Sequence, residues 1–127
     1  MRNIIVASII TVLITCNAFA GVQQDAEEAL VMWQPTSVEF RDDTLNVLLP
    51  QAKITEEAYS AVLTTGFCMW TAAGKDLTSV SELVVLNKFG AQGHVSERGA
   101  MDCAEINQMP AESMEVKLKI LSATRLF

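Results

Sequence analysis

Residues 55–74 read TEEAYSAVLTTGFCMWTAAG, and the spacing within this stretch decides how the rest of the chain can pack. Thr55 is a good N-cap residue, and Glu56 and Glu57 put negative charge at the positive end of a helix. Behind them Tyr59, Val62, Leu63, Phe67 and Trp70 recur at helical spacing, so they form one apolar face. Gly66 lies on that face. A glycine inside a helix costs about 1 kcal/mol relative to alanine, so its place here suits a close approach by another element. Cys68 sits just off the stripe, within reach of a neighbour. The spacing therefore predicts one principal helix that stops by Gly74.

On the N-terminal side, residues 23–33 carry Ala26, Leu30 and Trp33 at helical spacing behind Asp25, Glu27 and Glu28, and Pro35 ends that helix. Val38 and Phe40, then the turn Arg41-Asp42-Asp43-Thr44, then Leu45, Val47 and Leu49 predict a β-hairpin stopped by Pro50. On the C-terminal side, Leu83-Val84-Val85-Leu86 is apolar on both faces, as a central strand covered on both sides would be. Gly90-Ala91-Gln92-Gly93 supplies turn residues, and residues 94–97 return as a paired strand. Residues 102–108 read as a short helix carrying Cys103 and Ile106. Met114, Val116, Leu118 and Ile120 alternate with Glu115, Lys117 and Lys119, which predicts a final strand. The sum is an α+β fold: a small two-layer domain, a mostly antiparallel sheet with one main helix packed on it.

The first twenty residues belong to a different problem. Met1-Arg2-Asn3 is followed by an uncharged apolar run from Ile4 to Ile14, and Ala18-Phe19-Ala20 is the small-x-small pattern before a cleavage point. Residues 1–20 thus read as a secretory signal peptide, with Gly21 as the new N-terminus and residues 21–127 as a single exported domain. The apolar run is shorter than the roughly 20 residues that a bilayer span needs. An alternative is lipid attachment at Cys16, after Leu13-Ile14-Thr15, although Thr15 stands where such a signal has a small residue. The localisation expected is periplasmic or secreted, or lipid-anchored if Cys16 is acylated.

Cleavage removes Arg2, so the remaining 107 residues hold eight basic and all fifteen acidic side chains, a formal charge of −7. The basic residues are scattered singly among acids, which excludes the basic stripe that a nucleic-acid partner requires. Half of the chain is apolar and no repeat or low-complexity tract occurs, so one folded unit is expected. Cys68 and Cys103 remain as an even pair in an oxidising compartment, and a disulfide between them is the expectation. A metal site would need His94 and a carboxylate beside the two thiols. No pattern asks for a cofactor.

His94 is the one histidine, the cheapest general base or metal ligand available, but no nucleophile or orienting group accompanies it in sequence. A surface position on the hairpin is the plainer reading. The pairs Asp42-Asp43 and Glu56-Glu57 have turn and helix-start explanations ahead of a glycosidase one. Trp33 and Trp70 could anchor a ligand, with burial preferred for Trp70. Met32, Met69, Met101, Met109 and Met114 are expected to fill gaps in the core. With these set aside, the tip of the second hairpin is the candidate partner-binding site: Lys88, Phe89, Gln92 and His94. A return of Phe89 into the core is the competing reading. The function expected is a non-catalytic binding or accessory domain that meets another envelope or extracellular protein. Alternatives are an inhibitor or immunity protein that neutralises a toxic enzyme and, behind both, an enzyme.

Overall fold

A computed structural model describes residues 18–127, with side chains from residue 21 onward. The apolar run, Cys16 and most of the expected signal peptide lie outside the described residues. Helix α1 spans Ala18–Ala29 and passes through a 3-10 turn at Val31–Trp33 into the hairpin of β1 (Ser37–Arg41) and β2 (Thr44–Leu48). Asp42 and Asp43 form its two-residue loop, both in the left-handed region at φ 50° and 61°. Two left-handed residues match the right-handed twist of the strands they join.

The principal helix then runs without a break through α2 (Glu56–Ala61), a π-helical segment (Val62–Cys68) and α3 (Met69–Ala72). Thr55 caps it as expected, its hydroxyl accepting a hydrogen bond from the Ala58 amide at 3.1 Å. Tyr59, Val62, Leu63 and Phe67 are all buried, and Trp70 is half-buried at the margin of the core. The close approach expected at Gly66 comes from α1 and the turn after it. A Cβ at Gly66 would lie 2.8 Å from both Leu30 and Trp33.

Strands β3 (Glu82–Leu86) and β4 (Gly93–Ser96) follow, then a 3-10 turn at Gly99–Asp102, α4 (Cys103–Gln108), α5 (Met114–Ser122) and β5 (Thr124–Leu126). The sheet order is β1-β2-β3-β4-β5. Three of its pairings are antiparallel, and β2 with β3 is parallel because the principal helix carries the chain back to the starting end. Buried side chains from α1, the principal helix, α4 and α5 share one core with Phe40, Leu45, Val47, Leu83 and Val85. The helices thus occupy one face, which makes the two-layer α+β domain. Val84, Leu86 and Val95 form a second, smaller cluster with Leu48 on the opposite face, so β3 is apolar on both sides as its sequence requires.

The expected strand over Met114 to Ile120 is corrected. These residues are helix α5, and the last strand begins only at Thr124. Alternation at 114, 116, 118 and 120 contains the pair 116 and 120, which is also one helical turn. Val116 and Ile120 are the two that the core buries, while Met114 and Leu118 are exposed. Ser113 accepts from the Val116 amide and starts the helix, and Leu, Lys, Glu and Met all favour it.

Cys68 and Cys103 are joined by a disulfide with their Cα atoms 4.9 Å apart. Both are buried, so the bridge staples α4 to the principal helix inside the core. The Asn107 side-chain amide donates to the Cys68 carbonyl at 3.0 Å beside it. No helix among the described residues is long and apolar enough to cross a membrane.

Candidate functional site

The loop between β3 and β4 is held by two amide side chains. Asn87 is buried. Its oxygen accepts from the backbone amides of Ala91 and Gln92, at 2.9 and 3.2 Å, and its NH2 donates to the Ala52 carbonyl at 2.9 Å. Gln92 makes a two-way clamp on Ile54: its oxygen accepts from the Ile54 amide at 2.7 Å and its NH2 donates to the Ile54 carbonyl at 2.9 Å. The Lys88 amide donates to the Gln51 carbonyl at 2.9 Å, and Gly90 turns the chain at φ 65°. Segment 51–54 and loop 87–92 therefore hold each other, and little backbone freedom remains at the tip.

Phe89 projects from this frame, 69% exposed, with the Lys88 ammonium 5.0 Å from the centre of its ring. The reading that returned Phe89 to the core is overturned. The loop's described hydrogen-bond ties run through Asn87, Lys88, Gly90, Ala91 and Gln92, and none of them involves Phe89.

The four residues singled out at the hairpin thus divide. Lys88 and Phe89 stand on the surface. Gln92 is half-buried and is spent on Ile54. His94, expected at the surface, lies on the core side of β4, 5% exposed and stacked on Tyr59 with ring centroids 5.1 Å apart. Its Nδ1 has no hydrogen-bond partner among the described residues. Strand alternation from the buried Gly93 onward places residue 94 on the helix-covered face, a consequence of register that counting outward from the turn residues missed. Tyr59 donates its hydroxyl proton to Thr124 Oγ1 at 2.9 Å, since Thr124 commits its own to the Ile120 carbonyl at 2.7 Å. Burial pushes the Tyr59 phenol above its ordinary value, with hydrogen bonds to Thr124 and Ser96 pulling the other way.

The remaining candidates resolve locally. Asp42 and Asp43 are turn residues, and the Asp43 carbonyl accepts from the Ser81 amide at 2.8 Å. Glu56 and Glu57 occupy the first turn of α2. Trp33 packs on Gly66, and Trp70 carries the Lys75 ammonium 5.6 Å from its ring. Met32, Met69, Met101 and Met114 are exposed, not core fillers; Met109 alone of the five packs against the core. An unbranched side chain tolerates either setting, so their spacing carried no signal. Among the described residues no three His, Cys, Asp or Glu side chains are gathered to hold a metal ion.

A buried carboxylate that the sequence reading passed over is Asp102. It is 5% exposed, 2.8 Å from the Arg98 guanidinium and 3.8 Å from the Lys119 ammonium. Lys119 also meets Glu105 at 2.8 Å, an interaction that raises its pKa. The group ties the Gly99–Asp102 turn and α4 to α5, a structural duty.

Comparison of the chain with protein-family models, with curated proteins and with solved structures returned no match.

Proposed function

We propose that this is an exported, non-catalytic binding domain, periplasmic or secreted, that recognises another envelope or extracellular protein through the Lys88-Phe89 tip. The observation that carries the reading is the exposed Phe89 ring on a loop already immobilised by Asn87 and Gln92. An aromatic anchor dominates many interfaces, and holding it in its bound position beforehand removes an ordering penalty from association. A buried disulfide fits folding in an oxidising compartment. The acidic surface supports a protein partner over a nucleic acid.

The test is capture from envelope extract by the wild-type protein and by a Lys88→Ala/Phe89→Ala variant. Neither side chain supports the fold, so the variant should keep its melting temperature and lose the captured partner. Equal capture by a folded variant would move recognition away from the tip.

A further inference from the structure

A second surface at the same end of the sheet is built for a different kind of contact. Strand β1 is an edge strand, and its register fixes which backbone groups face outward. The Leu49 amide donates to the Leu86 carbonyl at 2.9 Å, so residues 45, 47 and 49 of the β2 segment face β3 and residues 44, 46 and 48 face β1. Their partners Arg41, Glu39 and Ser37 turn inward, which leaves Val38 and Phe40 with backbone groups directed away from the sheet. At Phe40 helix α1 covers the edge, and the Phe40 amide donates to Gln23 Oε1 at 3.5 Å.

Val38 is 8% exposed with its side chain in the core, and its outward amide and carbonyl have no backbone partner among the described residues. It borders a trough of about 530 Å³ that Glu27 and Val31 flank on one side and residues 34–38 on the other. Val31, an apolar member of its rim, is 65% exposed. Glu27 is the one trough carboxylate. Its neighbours Asp25 and Glu28 are paired with Lys75, and Glu39 with Arg41, whereas Glu27 meets only the Gln23 amide at 3.4 Å among the described residues.

An edge amide, an apolar rim and an unneutralised carboxylate are the parts of a site for strand addition. We propose that the trough takes an extended segment of a partner protein, which pairs with β1 at Val38, sets an apolar side chain against Val31 and places a Lys or Arg at Glu27. The formal charge of −6 on the chain favours a basic segment in the same sense. This surface does not depend on the tip reading. The register Ser37, Leu48, Leu86, Gly93 puts both at one end of the sheet, so a single partner can reach both.

The experiment pans a random octapeptide display library on the protein recovered from its own compartment. The selected peptides should alternate apolar and basic residues and lack proline. Adding the best of them should slow hydrogen exchange at the Val38 amide. Glu27→Lys should weaken it about tenfold or more and reselect acidic peptides, the sign expected when one close charge pair is reversed. Val38→Pro, which removes only an outward donor, should abolish binding; if that variant does not fold, Glu27→Lys and the exchange measurement decide. Lys88→Ala/Phe89→Ala should bind the peptide normally, which separates this site from the tip. No consensus, equal binding to Glu27→Lys, or unchanged Val38 exchange would overturn the proposal. So would concentration-dependent protection of Val38 without peptide, which would assign the edge to a second copy of the chain.

Discussion

Tyr59 and Gln92 show how much of this molecule rests on polar groups inside it. The Tyr59 phenol titrates above its ordinary value near 10 because burial disfavours its anion. Its contribution is therefore fully present below pH 10 and is lost as pH rises through the higher folded value. Thermal melts between pH 9 and 12 should show Tyr59→Phe losing less stability than wild type across that window, even if it starts lower for want of the Thr124 bond. Lys75 and Lys119, whose pKa values are raised chiefly by hydrogen bonds to Glu28 and Glu105, release protons in the same range in both proteins, so the difference between the curves isolates the phenol. Gln92→Ala should lower stability by about 1 to 3 kcal/mol, because it strands both the Ile54 amide and its carbonyl. Urea titration checks it, with Lys88→Ala/Phe89→Ala as the neutral control. A sequence shows that a glutamine or histidine stands near a turn. It does not show whether the side chain turns back on the loop or enters the core, since that depends on a register one residue out from the glycines.

Among the elements, the principal helix, the first hairpin and the β3 strand were legible because each has a periodicity and a terminator: Thr55 and Gly74, Asp42-Asp43, and an unbroken branched run. Helix α5 was not, since a short segment can satisfy alternation and helical spacing with the same residues. The π-helical segment Val62–Cys68 also left no trace in the apolar stripe, and Cys68, read at the margin of that stripe, is fully buried. Leu30 and Trp33 pack on Gly66 within this segment, a tertiary contact that the stripe's spacing does not encode. The hairpin turn invites a direct test. Left-handed geometry strains any residue with a side chain, and Asn-Gly suits a two-residue turn of this kind better than Asp-Asp. Asp42→Asn with Asp43→Gly should stabilise the protein by about 1 kcal/mol, visible as a rise of several degrees in melting temperature.

For the whole molecule, the covalent link matters as much as the core. A bridge across 35 residues is worth roughly 3 to 4 kcal/mol by loop-closure entropy, a large share of what a domain this size has. Cys68→Ser/Cys103→Ser should shift the urea midpoint down and steepen the slope, because the uncrosslinked denatured chain exposes more surface; an unaltered midpoint would mean that packing alone secures α4. The mixed sheet has a kinetic consequence. Each hairpin can zip from its own turn, but β2 meets β3 across residues 44 to 82, and β5 reaches β4 from 126 back to 94. Two long loops must close before the five strands are joined, and chains dominated by such pairings fold slowly. The hydroxyl of Tyr59 waits for Thr124, 65 residues further along, so this part of the core is finished only after that long separation has closed. On the export route proposed above, that delay would keep the chain extended enough to thread through a membrane until β5 pairs with β4.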